Sequence, residues 1–170
     1  MIAQKNNLDI DFICDDTMHL SKIESDKYDL VFTSNGVHSW IPDLDSMYTN
    51  IYRVLNTSGF SIMYDVHPFN RPFSGIAWES PKVLKSYHDT LPDYHWRIQD
   101  LINVNIAAQL SIVEMAELQA IDASFWYRFD ELPQQNPETL KHINNWECNP
   151  MAALPAWLTI ISQKKVSLAH

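Results

Sequence analysis

The sequence predicts an α/β protein with a mostly parallel sheet, built as a single domain over residues 1–170. Short apolar segments of strand character alternate along the chain with amphipathic helical segments, which is the order in which parallel strands are usually connected. The 170 residues are 46% hydrophobic and 19% charged, a composition typical of globular domains. A chain of this length buries most of its surface as one domain, and no internal repeat or low-complexity segment divides it.

The N-terminal half is predicted to form two strands, a helix and a third strand. Their ranges in chain order are 8–14, 28–32, 43–55 and 60–66. The first strand alternates apolar and polar residues, whereas the second is a short apolar run followed by the turn residues Asn35 and Gly36. The helix has the clearest pattern, because apolar residues recur at helical spacing after Asp43, a preferred N-cap residue. Gly59 marks the turn into the third strand.

The C-terminal half continues the alternation of helices and strands. Its predicted elements are a helix at 96–108, a strand at 110–118, a helix at 136–146 and a strand at 157–162. Between the two halves lies an irregular segment, 67–95, which holds four prolines among many aromatic residues. We interpret this segment as an insertion outside the sheet.

Charge and cysteine content exclude several classes of function. The chain carries 12 basic and 21 acidic residues, a net charge of −9, and its longest basic run is Lys164-Lys165. A nucleic-acid groove or an anionic membrane surface is therefore not expected. Cys14 and Cys148 are too few for a disulfide framework or a four-cysteine zinc site, and the histidines lack metal-ligand spacing. Without an apolar segment of signal-peptide or membrane-spanning length, the sequence predicts a cytoplasmic protein that binds no metal.

Glycine is scarce in this chain. The three glycines are too few and too far apart for any of the glycine-rich turns that cradle phosphates or dinucleotides. If the protein binds a nucleotide-like cofactor, the usual glycine turn is not within these residues.

Four segments of the chain keep the order and spacing of one known family. They are Phe12–Leu20, Tyr28–Val31, Ile51–Phe60 and Pro155–Leu158. Together they resemble the C-terminal two thirds of a class I S-adenosylmethionine-dependent methyltransferase of the small-molecule type. The resemblance implies that 8–14 is the third strand of that fold, 28–32 the fourth and 60–66 the fifth, with 67–95 as a cover over the methyl acceptor.

The parts of this family that precede the third strand have no counterpart here. They comprise a strand, a glycine-rich turn and helix, and a second strand ending in an acidic residue, and they hold the methionine carboxylate and the ribose. The sequence thus resembles a truncated member with an incomplete doubly wound, methyltransferase-type sheet. Strand 8–14 then lacks a partner and strand 28–32 exposes an apolar edge, so we expect self-association through exposed strand edges.

The resemblance implies that S-adenosylmethionine is the cofactor and that two stretches bind it. They are Asp16, Thr17 and Met18 after the first strand, and Ser34, Asn35, Gly36 and Val37 after the second. In the family, the acidic residue of the first stretch binds the adenine amino group and the second stretch lines the methyl-donor pocket. The alternative for both stretches is ordinary turn and capping chemistry, which Asp, Thr and Asn-Gly favour in any protein.

Candidate acceptor and catalytic residues follow the ends of the predicted strands, where open α/β sheets place ligands. His38 and Trp40 are candidates for contact with the acceptor, and His67 is the candidate general base. Tyr64, for contact with the acceptor, and Asp65 lie on the strand before His67 and are weaker candidates. The alternative for His67 is a hydrogen-bonded structural histidine before a proline. Because methyl transfer can proceed through positioning alone, a base is not required.

These observations lead to an expected function and two alternatives. The first is methyl transfer from S-adenosylmethionine to an unidentified small molecule, in a protein that needs a missing N-terminal part. The second is a non-catalytic, methyltransferase-like remnant or binding subunit, which the absent glycine turn and ribose-binding acid favour. The third is an unrelated α/β ligand-binding module.

Overall fold

The fold combines a four-stranded sheet with α-helices and short 3-10 turns. The computed structural model describes residues 5–73, 81–91, 93–128 and 130–165. Its strands and α-helices in chain order are β1 (Tyr28–Ser34), α1 (Leu44–Val54), β2 (Leu55–Val66), α2 (Ile98–Ala107), β3 (Leu110–Leu118), α3 (Pro137–His142) and β4 (Trp157–Lys164). Within these ranges the helices are too short or too polar to cross a membrane.

The sheet has the strand order β1-β2-β4-β3 and is mixed. β1 pairs with β2 in parallel, whereas β4 is antiparallel to both β2 and β3. The α/β class is confirmed, and β1, β2 and β3 run in the same direction, as expected for a mostly parallel sheet. Strand β4 runs against them, because the connection between β3 and β4 begins and ends at the same end of the sheet.

The predicted strand at 8–14 is not a strand in the described structure. This segment is extended and unpaired, and its side chains Leu8, Ile10 and Phe12 are half or more exposed. Apolar alternation describes a side-chain pattern, but a strand also needs a neighbour for its backbone hydrogen bonds. The sequence-based expectation that this segment lacks a partner therefore agrees with the structure.

Helix α1 begins and packs as its sequence pattern predicts. The Asp43 carboxylate accepts the Ser46 N–H at 3.0 Å, which is N-cap geometry. The buried positions have helical spacing and are Leu44, Met47, Tyr48, Ile51 and Val54. β2 follows directly at Leu55, so Gly59 lies inside a strand rather than in a turn.

Gly59 is required by close packing rather than by its backbone angles. A Cβ atom there would lie 3.0 Å from the backbone oxygens of Asn56 and Tyr28. Only glycine lets β1 and β2 approach at this point, where the register between them also shifts.

The two faces of the sheet differ in coverage. α1 packs against β2 and α2 packs against β3 on one face, where Leu55, Leu158 and Ile160 are at most 2% exposed. On the opposite face Leu30 and Phe32 are 51% and 59% exposed. Among the described strands β1 pairs on one side only, so the exposed apolar edge expected for this strand is confirmed.

Strands β1, β2 and β3 end, and β4 begins, at the same end of the sheet, which is called the carboxyl end below. The register places Ser34 opposite Tyr64, and Trp157 opposite both Val66 and Leu118. Three long connections therefore begin or end at the carboxyl end of the sheet: 35–43, 67–97 and 119–156. The candidate functional residues lie here.

Candidate functional site

The turn after β1 is fixed to β2 by two hydrogen bonds. Asn35 donates its N–H to the Tyr64 carbonyl at 3.0 Å, and Gly36 donates its N–H to Asp65 Oδ1 at 2.9 Å. Both turn residues have positive φ, 51° and 89°. A Cβ at Gly36 would meet no atom within 4 Å, so the left-handed backbone, and not lack of space, favours glycine here.

Asp65 is a buried carboxylate at the carboxyl end of the sheet and is 4% exposed. Its Oδ1 also accepts the Val66 N–H at 2.7 Å and lies 3.3 Å from Arg71 Nη2. Burial alone would raise the pKa of this carboxyl. The contacts with His38, the Val66 N–H and Arg71 outweigh burial and hold the pKa below its ordinary value, so Asp65 is an anion at neutral pH.

His38 lies between Asp65 and a buried phenol. It belongs to the 3-10 turn Val37–Trp40 and is 5% exposed. Its Nε2 is 3.1 Å from the Tyr48 Oη, and its Nδ1 is 3.4 Å from Asp65 Oδ2. Burial raises the pKa of the Tyr48 phenol, which stays neutral at physiological pH.

A small cavity of about 20 Å³ adjoins these side chains. His38, Asp65 and Arg71 line it together with the rings of Tyr94 and Trp96, which stack at 6.0 Å. Trp96 donates its Nε1–H to the His38 and Ile41 carbonyls at 3.2 and 3.1 Å. Trp96, in the connection that leads into α2, is thereby attached to the turn after β1.

The first predicted cofactor stretch forms local turns. Asp16 Oδ1 accepts the Met18 N–H at 2.9 Å, and its Oδ2 is 3.1 Å from His19 Nδ1. These two contacts hold the pKa of Asp16 below its ordinary value. The arrangement is the capping chemistry weighed as the alternative, yet the side chain is 48% exposed and both roles are open to it.

Two side chains of α1 clamp the segment that follows Asp16. Asn50 donates its Nδ2–H to the Met18 carbonyl at 2.8 Å. Arg53 donates through Nη2 to the Leu20 carbonyl and through Nη1 to the Ile23 carbonyl, each at 2.8 Å. The unpaired N-terminal segment therefore has its position fixed by a helix, not by a sheet.

An apolar groove of about 300 Å³ runs between α1, β1 and the clamped segment. Thr17 lines one side and Thr33, next to Ser34, lines the other. Of the predicted cofactor residues, Thr17 alone lines this groove, while Ser34 follows directly after the lining residue Thr33. The groove volume is at the lower end for small-molecule sites.

His67 lies in a structural setting. It is fully buried, its Nδ1 accepts the Phe69 N–H at 3.2 Å, and its Nε2 lies 2.9 Å from Glu117 Oε1. Burial lowers the pKa of the imidazole, and Glu117 offsets this only in part. Because both ring nitrogens are engaged, this geometry favours the structural alternative over the role of general base.

The structure does not bring the three candidate acceptor residues together. Tyr64 points to the sheet face opposite Asp65 and stacks on Trp157 at 4.9 Å. Trp40 is 80% exposed and does not line the small cavity. Of the three, His38 alone lies with Asp65.

Sequence reasoning gave Asp65 too little weight. In a strand, alternate residues share a face, so Asp65 shares the covered face of Met63. A carboxylate at a covered position needs partners, and this was the available signal. Over the described ranges, no group of three or more His, Cys, Asp or Glu side chains is placed to hold a metal ion.

Comparison with known proteins adds a family match at the N-terminal end. The family model described as a methyltransferase domain matches residues 1–63. No curated protein matches the chain.

Several solved structures share the fold at low sequence identity. An S-adenosylmethionine-dependent methyltransferase from Mesorhizobium loti is 14% identical with a TM-score of 0.56, over 88% of this chain and 67% of that one. A protein from Galdieria sulphuraria assigned as a sarcosine dimethylglycine methyltransferase is 13% identical with a TM-score of 0.63, over 96% and 63%. Geranyl diphosphate C-methyltransferase from Streptomyces coelicolor A3(2), solved with S-adenosyl-L-homocysteine, is 10% identical with a TM-score of 0.55, over 96% and 58%.

The chain thus spans about three fifths to two thirds of the length of these proteins. Residues 1–63 match the model of a methyltransferase domain, and the chain shares its fold with solved S-adenosylmethionine-dependent methyltransferases.

Proposed function

We propose that the chain binds S-adenosylmethionine and transfers its methyl group to a small acceptor. The observation that carries this proposal is the groove lined by Thr17, from the first predicted cofactor stretch, and by Thr33, the residue before the second stretch. Asp16 would accept from the adenine amine, since its carboxylate is half exposed beside this groove. The turn at Asn35 and Gly36, held by Asp65, would present its backbone to the methyl donor.

The chemistry asks the protein mainly to align two reactants. The acceptor atom attacks the methyl carbon in line with the breaking carbon–sulfur bond, and the sulfur keeps the electron pair. Holding both reactants in this geometry while excluding water supplies most of the rate enhancement. Tyr94, near the end of segment 67–95, donates its N–H to the Ser39 carbonyl at 3.3 Å, which supports the role of this segment as the acceptor cover.

We also propose that a segment from outside these residues completes the cofactor site. The free edge of β1 supports this, because the described strands pair with it on one side only and a further strand could pair there. A cytoplasmic location is proposed as well, and the two unbridged, exposed cysteines, Cys14 and Cys148, agree with it.

Calorimetric titration of the chain with S-adenosyl-L-homocysteine tests the cofactor proposal. We expect measurable binding that weakens several-fold in Asp16→Ala. The matched control is Asp122→Ala, because Asp122 also caps a turn, accepting the Ser124 N–H at 2.8 Å, on another part of the surface. Absence of binding at millimolar ligand, or equal affinity of the two variants, would contradict the assignment.

The alternative function is a non-catalytic, methyltransferase-like binding subunit. The engaged ring nitrogens of His67 favour it, because the base expected from the sequence has no free nitrogen. Binding of S-adenosyl-L-homocysteine without consumption of S-adenosylmethionine, across a panel of small amines, alcohols and thiols, would support this alternative.

A further inference from the structure

Two buried polar atoms at the carboxyl end of β2 have no hydrogen-bond partner in the described part of the chain. They are His38 Nδ1 and Asp65 Oδ2. They lie 3.4 Å apart, within reach of a charge interaction but without a hydrogen bond between them. Leaving such atoms unsatisfied is costly inside a protein, so their presence needs an explanation.

Both side chains line the cavity described above, and each is about 95% buried. At about 20 Å³ the cavity has room for a group of a few heavy atoms at most. The other oxygen of Asp65 is already occupied by two backbone N–H groups and Arg71. The unpartnered Oδ2 is therefore the oxygen left for a ligand.

The lining suits a positively charged or proton-rich nitrogen. A carboxylate oxygen and an imidazole lone pair, 3.4 Å apart, can accept two hydrogens from one amino group. The rings of Tyr94 and Trp96 form part of the wall, and aromatic faces attract cations. Arg71 also lines the cavity, but its nearest guanidinium nitrogen pairs with Asp65 Oδ1.

We propose that His38 and Asp65 form an acceptor subsite for a small primary or secondary amine, with His38 Nδ1 taking its proton. The methyl-transfer step rests on the proposed function; the amine site itself does not. In this proposal Nε2 of neutral His38 carries the proton and donates to Tyr48 Oη, 3.1 Å away, so that Nδ1 keeps its lone pair for the amine. Asp65 Oδ2 binds the ammonium form and stabilises the imidazolium once the proton has moved.

The ammonium loses one proton to His38 Nδ1, and the amine lone pair forms the new nitrogen–carbon bond. The sulfur–methyl bond breaks, S-adenosylhomocysteine leaves as a neutral sulfide, and His38 returns its proton to water. His38 touches the reacting nitrogen and is a catalytic residue in this scheme, whereas Tyr48 is a positioning residue.

Imidazole nitrogen resonances of the 15N-labelled chain test the subsite without any cofactor. Methylammonium chloride is the probe, with sodium chloride, sodium formate and methanol as comparison solutes at equal concentration. We expect the free chain to show His38 as the Nε2–H tautomer, and its Nδ1 resonance to move in a saturable way with methylammonium alone. No saturable movement with methylammonium, or a response to formate or methanol instead, overturns the amine assignment.

Variants test whether Asp65 and Tyr48 contribute to the binding of methylammonium. Asp65→Asn should weaken the methylammonium response roughly tenfold or more, the effect of losing a charge-assisted hydrogen bond. Asp122→Asn, a carboxylate in a distant turn, should leave the response unchanged. If Asp65→Asn does not fold, Tyr48→Phe is used in its place. Loss of the phenol oxygen should shift the His38 tautomer toward Nδ1–H and so weaken the binding of methylammonium. An unchanged tautomer and affinity in that variant would contradict the proposed role of Tyr48.

Calorimetry with S-adenosyl-L-homocysteine on the same preparation separates the two proposals. A saturable methylammonium response without cofactor binding would leave the amine site and remove the methyl-transfer step. Cofactor binding with no methylammonium response would support the cofactor proposal and overturn the amine site.

Discussion

Arg53 fixes the segment that carries the candidate adenine-binding residues, so its replacement tests how that segment is held. We predict that Arg53→Ala lowers the free energy of unfolding and loosens residues 15–25. Arg53 donates to the carbonyls of Leu20 and Ile23 at 2.8 Å each and to Asn50 Oδ1 at 3.1 Å. This segment has no sheet partner that could compensate for the loss.

The size of the effect follows from these three bonds. A net contribution of about 1 kcal/mol per hydrogen bond gives a loss of about 2 to 3 kcal/mol. Water can reach the freed carbonyls, because the segment lies at the surface, and this keeps the loss from being larger. The same change should weaken S-adenosyl-L-homocysteine binding if Asp16 and Thr17 contact the cofactor.

Urea unfolding measures the stability change, and amide hydrogen exchange reports local opening. Arg128→Ala is the matched control, since the Arg128 side chain is 79% exposed and its ion pair is at the surface. We expect faster exchange at Leu20 and Ile23 in Arg53→Ala only. Equal stability and exchange in the two variants would refute the clamp.

Two further predictions concern pH and association. Burial lowers the folded-state pKa of His67, so protonation favours the unfolded chain, and stability should fall as the pH drops below about 6.5. His67→Gln should flatten the pH dependence of the urea midpoint in this window, and an unaltered slope would exclude His67 as its source. The free β1 edge should make the chain self-associate. Phe32→Lys should shift the sedimentation profile toward the monomer. Lys141→Ala is the control, because the Lys141 side chain is exposed on α3. A monodisperse wild-type monomer would contradict the association.

Local signals were sufficient for helix α1 and strand β3. The N-cap Asp43 and the apolar spacing of α1 act within a few residues, and β3 occupies the predicted range 110–118. α3 ends at His142, four residues earlier than predicted, because few of its side chains are buried and helix propensity alone sustains only short helices.

Non-local contacts account for what the sequence did not reveal. Asp65 meets Gly36 across 29 positions and His67 meets Glu117 across 50, and no local pattern announces either pairing. Position in the sequence alone therefore did not indicate which partners Asp65 and His67 contact. The covalent neighbourhood of a histidine does not tell whether its nitrogens are already engaged.

The unequal distribution of connections around the sheet has a consequence for how this domain could change over time. At one end the chain turns within a few residues, as where β2 follows α1 directly. At the opposite, carboxyl end of the sheet, three connections of very different lengths begin or end, next to Ser34, Val66 and Trp157. Insertions and substitutions there alter what surrounds a ligand without changing any strand register. New acceptor preferences could therefore be acquired through these connections while the sheet and its two covering helices stay unaltered.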